Sequence, residues 1–246
     1  MHMIRSTSLR ALFATLICAA LAACATKQEN GYGVGIQAER QAALDQALQK
    51  ESPPDTPGMY LALIDRMQAQ GLWYASLAHI DAYEQQYGQS PDTILLRADA
   101  LRQTGQSDAS AVAYGRLANT PLAARGLRGL GLLAGEAADF SRAADLFASA
   151  SRRAPTDALM LSDLGYARLR LGDVAGARVP LMKAAELAPN NPKILSNVAL
   201  YLLASGEAAN AQGLMTQQKF SADVQQAIRV DAKRVADAAR ASVASR

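Results

Sequence analysis

The stretch from Thr156 to Asn190, TDALMLSDLGYARLRLGDVAGARVPLMKAAELAPN, decides the fold. Leu161, Leu164 and Gly165 fall on a first helix, Gly172 makes a turn, and Ala177, Leu181 and Ala184 share one face of a second helix that Pro189 ends. A shift back by 34 residues lands Leu127, Leu130, Gly131, Ala143, Phe147, Ala150 and Pro155 on the same places. Such recurrence marks a chain built by stacking one small unit on its own copies, because a lone helix pair has nothing against which to bury its apolar face.

The turn residues carry the interval in both directions. Gly71 and Gly105 are 34 apart, as are Gly172 and Gly206, while Ala138 stands at the turn place 33 residues after Gly105. Period, turn glycines and alternating small and large residues match the tetratricopeptide pattern. The expectation is an all-α tetratricopeptide-repeat solenoid of about five helix pairs, over 58–88, 91–119, 122–154, 156–188 and 191–219. Ser221 is placed to cap a last helix with the apolar stripe Val224, Ile228, Val235, Ala239 and Val243, which closes the stack over 221–246. A chain that is 50% hydrophobic but only 5% aromatic suits closely packed helices rich in Ala and Leu. Pro180 breaks the pattern: inside a predicted helix it removes a backbone donor, and a kink costing about 3 kcal/mol is expected there.

The residues before the repeats read as an address and a tether. Arg5 and Arg10 precede an apolar run from Ala11 to Ala23, which predicts a signal peptide over 1–23. Leu21-Ala22-Ala23-Cys24 resembles the lipobox of bacterial lipoproteins, which implies lipidation at Cys24 and a mature chain that begins there. Ala25 in second place implies, by the same resemblance, delivery to the outer membrane facing the periplasm. Residues 24–57 then hold the lipidated terminus, a Gly-rich tether and one helix over Ile36 to Lys50, stopped by Pro53, Pro54 and Pro57. The repeat domain follows over 58–220. Cys18 leaves with the signal peptide and Cys24 is acylated, so no thiol is expected to pair or to bind metal.

Catalytic chemistry finds little to work with. His79 is the one histidine after the signal peptide, too few for a His-based metal site or a Ser-His-Asp arrangement. Gly31-Tyr32-Gly33-Val34-Gly35 does not sit between a strand and a helix, as a dinucleotide fingerprint requires. Asp163 and Asp173 are expected on different faces, with nothing to mark a pocket. A net charge of +3, without basic runs interleaved with aromatics, gives no nucleic-acid footprint. No enzyme activity, cofactor, metal or small-molecule substrate is expected. The first helices of the pairs supply instead a mixed polar row for an extended peptide, which at tetratricopeptide spacing includes Asp99, Arg102, Arg125, Arg128, Ser162, Tyr166, Arg170, Ser196 and Asn197. Trp73 and Tyr74 fit either a joint in the core or an exposed anchor for a partner.

Asp163-Leu164-Gly165-Tyr166 through Gly172, Pro189-Asn190-Asn191-Pro192, Asn197-Val198-Ala199-Leu200 with Gly206, and Ser221-Ala222-Asp223 occur in that order. With the lipobox and tether, the chain resembles the tetratricopeptide lipoprotein of tight-adherence (Tad/Flp) pilus assembly systems. It departs from that pattern at Leu195-Ser196, where basic and polar residues are expected, and at Ala208-Ala209-Asn210, which lacks an acid. The resemblance implies a periplasmic scaffold at the outer membrane that binds the pilus secretin or other Tad assembly proteins and aids secretin assembly or localisation. A repeat lipoprotein serving another envelope machine, such as a type IV pilus secretin pilot or a cell-wall synthase regulator, is the alternative.

Overall fold

The computed structural model describes residues 56–244, all of whose regular structure is helical. The order is α1 (Pro57–Ala69), α2 (Trp73–Tyr87), α3 (Pro91–Gln103), α4 (Ser107–Gly115), α5 (Ala123–Glu136), α6 (Phe140–Arg153), α7 (Ala158–Arg170), α8 (Val174–Leu187), α9 (Pro192–Ala204), α10 (Ala208–Gln217) and α11 (Ala222–Ala244). The first ten pair off as the five expected repeats. The segments read as signal peptide, lipidated Cys24, tether and a helix over Ile36 to Lys50 lie outside the described residues. Among those described, no helix is long and apolar enough to cross a membrane.

Local chemistry sets where the helices start. The Thr56 hydroxyl accepts from the Met59 N–H, and Asp139, Asp157 and Asp173 do the same for Arg142, Met160 and Gly176. Ser90 and Thr93 bond reciprocally, and Pro57, Pro91 and Pro192 occupy first-turn positions where a missing N–H is harmless. The turn inside each pair is one repeated device. Gly71 (φ 78°), Gly105 (77°), Gly172 (79°) and Gly206 (86°) adopt the left-handed conformation. Each N–H bonds a carbonyl three residues back, and the next N–H bonds one five back, as Leu72 does to Met67 and Asp173 to Arg168. Ala138 takes the same conformation at φ 60° despite its Cβ. The missing residue of that repeat lies earlier, between the short α4 and α5.

The core repeats as the sequence does. Ser76, Ser110, Ala143, Ala177 and Ala211 hold one place in the second helices, all fully buried. Beside them, complementary pairs fill the joint: Ile64 with Ile80, Ala98 with Tyr114, and Ala199 with Met215. The glycine repeats are tightest. A Cβ on Gly131 would stand 2.6 Å from the Phe147 ring, and one on Gly165 would stand 2.4 Å from Leu181 Cγ. The large residue occupies the volume that the small one vacates.

Pro180 is accommodated in a way the sequence reading did not foresee. Helix α8 continues through it from Val174 to Leu187. Proline has no N–H for the Gly176 carbonyl one turn earlier, and the Arg168 guanidinium of α7 donates to that carbonyl at 2.6 Å. A neighbouring helix therefore satisfies the orphaned acceptor.

Helix α11 packs on α9 and then on α7, the first helices of the last two repeats. Ile228 and Val235 are buried and Ala239 is half-buried, whereas Val224 stays exposed. Val224 lies in the first turn of α11, and the side chain of Val243 lies outside the described residues. The far end of α11 meets the α7–α8 turn, where a Cβ on Gly172 would lie 2.5 Å from Ala239 Cα.

Candidate functional site

The first helices α1, α3, α5, α7 and α9, with the second helix α6, line three cavities that share lining residues from one to the next and together make a trough. Leu61, Ala62, Asp65, Asp92, Leu95, Leu96 and Arg125 enclose about 220 Å³ at the N-terminal end. Leu95 and Arg125 continue into a cleft of about 50 Å³ with Asp99, Arg128 and Leu132. Leu132 leads on to the largest of the three, about 280 Å³, floored by Gly131, Leu132, Phe147 and Ala167 and rimmed by Glu136, Asp163, Arg170, Lys193 and Asn197.

Bonds between repeats fix the polar rim. Asp163 is 5% exposed, and its carboxylate accepts from Arg128 Nε at 2.7 Å and from Lys193 Nζ at 2.9 Å. One buried carboxylate thus ties three successive repeats, and its two cations keep the charge from being stranded in the interior. Arg102 pairs with Glu136 of the next repeat at 2.6 Å, and Asn197 donates to the Ser162 hydroxyl at 2.9 Å. The Arg170 guanidinium lies 4.1 Å over the Phe140 ring and donates to the Tyr166 hydroxyl at 2.9 Å. The planar cation is held by a ring face and a hydrogen bond, with little freedom left to lose on binding. Tyr114, buried beneath α5, donates to Asp99 at 2.5 Å. Burial, and after it the Asp99 carboxylate, hold this phenol well above its ordinary 10.0.

The nine groove positions read from the sequence thus divide by placement. Asp99, Arg125, Arg128, Tyr166, Arg170 and Asn197 line the trough. Ser162 is fully buried and serves as the acceptor for Asn197, while Arg102 braces Glu136. Ser196 donates to its own helix at the Pro192 carbonyl and does not line the three cavities. The groove positions read from the sequence do not include Glu136, Phe140, Phe147, Asp163 or Lys193, and no pocket is expected at Asp163, yet these residues line the largest of the three cavities. A clue was present: Arg128 and Lys193 lie about one repeat to either side of Asp163. Asp173, as expected, faces elsewhere and caps α8. Tyr74 is 73% exposed while Trp73 is half-buried, so the two readings of that pair divide between its members. His79 Nδ1 lies 3.2 Å from the Tyr60 hydroxyl on the α1–α2 pair, away from the trough. Among the described residues, no group of three or more His, Cys, Asp or Glu side chains is arranged to hold a metal ion.

Two solved structures share this architecture. TTC0263, a thermophilic tetratricopeptide-repeat protein of Thermus thermophilus, superposes with a TM-score of 0.56 at 20% identity, over 74% of this chain and 98% of that one. The chain folds as a tetratricopeptide-repeat protein. Pseudomonas aeruginosa PilF is similar with a TM-score of 0.59 at 18% identity, covering 74% of this chain and 88% of its own. In sequence, the chain is 35% identical over 126 residues to the TPR repeat-containing protein PA4299 of Pseudomonas aeruginosa, 51% of each chain. The chain therefore spans about half the length of the curated relative it matches. No protein-family model matches it.

Proposed function

We propose that this tetratricopeptide-repeat protein is a binding scaffold whose trough holds a segment of a partner protein. The observation that carries this reading is the rim of polar side chains around an apolar floor, fixed in place by bonds that run from one repeat to the next. Preorganised donors and acceptors of this kind lower the entropy lost when a peptide binds.

In the finer reading, Cys24 carries the lipid, the tether spans from the membrane to the repeats, and the trough works at the periplasmic face of the outer membrane. The partner is then the pilus secretin or another component of Tad/Flp pilus assembly. Three things support this: the lipobox at Leu21–Cys24, the order of motifs from Asp163 to Asp223, and a fold shared with PilF. Site-specific photocrosslinking in cells tests it. A photoreactive residue in place of Arg170, inside the trough, is expected to join the chain to the secretin or a Tad component. The same residue in place of Val179, which is 65% exposed on the second helix α8, is expected to give no such product. Equal products from both sites, or none from Arg170, would overturn the assignment.

A further inference from the structure

The trough is not uniform in charge, and this bears on what it binds, provided that it binds a segment at all. At the N-terminal end Asp65 and Asp92 line the cavity with Arg125 as the cation among its lining residues. All three are exposed, and none has an ion-pair partner among the described residues. At the other end Glu136 and Asp163 line the cavity with Arg170 and Lys193, and Arg102 and Arg128 reach the same two carboxylates from outside its lining, so four cations face two carboxylates. The acidic end and the cationic end are joined by one continuous wall through Leu95 and Leu132. Leu61, Ala62, Leu95 and Leu96 line the acidic end, while Phe147, Leu132 and Ala167 line the cationic end, whose cavity is the roomier of the two and carries the aromatic surface for an anchor.

We propose that the trough selects a segment in which an acidic group adjoins a large apolar anchor and a basic group lies remote from both. The anchor seats on the Phe147 floor, the acid faces Arg170 and Lys193, and the base reaches Asp65 and Asp92. Complementary potentials set register and reject the reverse arrangement, in which like charges meet at both ends, while burial of the anchor supplies affinity.

A displayed library of random dodecapeptides, selected on the full chain purified in detergent, tests this. Gly135 provides the plug: it lines the cavity, and a Cβ there meets nothing within 4 Å, so the Gly135→Leu side chain starts into open space at the cavity. Enriched peptides are expected to place Asp or Glu beside an aromatic residue or Leu, with Lys or Arg farther along. They are expected to lose at least tenfold in affinity to Gly135→Leu. Reversing the cationic end with Arg170→Glu and Lys193→Glu is expected to favour peptides with a base in place of the acid beside the anchor and the remote base kept, and this holds as a second readout should Gly135→Leu fold poorly. Peptides that Gly135→Leu blocks but that show no order of charge overturn this inference and leave the scaffold reading standing. No enrichment, or peptides indifferent to every trough variant, overturns the scaffold reading and this inference with it.

Discussion

Pro180 and Arg168 form a compensating pair of residues on adjacent helices. A hydrogen bond from a charged donor to a backbone carbonyl contributes about 1.5–3 kcal/mol, and the Gly176 carbonyl has lost its ordinary partner to the proline. Arg168→Met is therefore expected to destabilise the parent by about 2 kcal/mol. In a Pro180→Ala background, where the helix regains its own bond, the loss should shrink by half or more. A double-mutant cycle by urea unfolding measures the coupling, and strictly additive effects would show that the guanidinium does not serve the carbonyl.

Tyr114 offers a second test at this scale, with a definite sign. Its folded pKa is raised by burial and then by Asp99, so the folded state holds the phenolic proton more tightly than the unfolded chain does. The resulting stability is fully present below the ordinary value of 10.0 and is lost as pH rises from there through the folded pKa. The stability difference between the parent and Tyr114→Phe is expected to be about 2 kcal/mol at pH 7 and to narrow only above pH 10. Chemical denaturation at a series of pH values checks this, and narrowing between pH 7 and 9 would contradict it.

At the scale of elements, the turn glycines separate two demands that a sequence shows as one. Gly105, Gly172 and Gly206 all have φ near +80°, so replacing any of them with Ala is expected to cost about 1 kcal/mol in backbone strain. A Cβ at Gly105 or Gly206 meets nothing within 4 Å, whereas at Gly172 it would strike the backbone of α11. Gly172→Ala should therefore destabilise more than Gly206→Ala and should also raise hydrogen exchange along α11. Equal effects of the two, with α11 equally protected, would place α11 elsewhere. The same comparison shows why period alone could place these glycines but not rank them.

At the scale of the whole repeat array, stability is a sum of units and the interfaces between them, so cooperativity depends on what crosses each interface. Asp163 holds Arg128 and Lys193 across two of them. Asp163→Ala removes both ties and strands Arg128, which is only 25% exposed. The variant is expected to lose about 2–3 kcal/mol, discounted because both cations reach water. Its urea transition should broaden or divide where the parent shows one step, as followed by far-ultraviolet circular dichroism together with Trp73 fluorescence. Coincident transitions in the variant would mean that packing alone couples the repeats.

The five helix pairs, their turns and their small-to-large joints were legible in the sequence because each depends on neighbours at fixed spacing. Gly131 with Phe147 and Gly165 with Leu181 are near in the chain and repeat at one interval, so periodicity reports them. The trough was only partly legible. Spacing put Asp99, Arg125, Arg128, Tyr166, Arg170 and Asn197 on the lining, but it could not tell that Ser162 is buried beneath it or that Asp163 is drawn in by two cations. Sequence by itself determined the repeat, since backbone geometry and apolar period act locally. Tertiary structure alone decided which polar groups face the cavity, how α11 crosses α9 and α7, and how Arg168 satisfies the carbonyl below Pro180. Those outcomes depend on hydrogen bonds and charges that meet only after the helices have stacked.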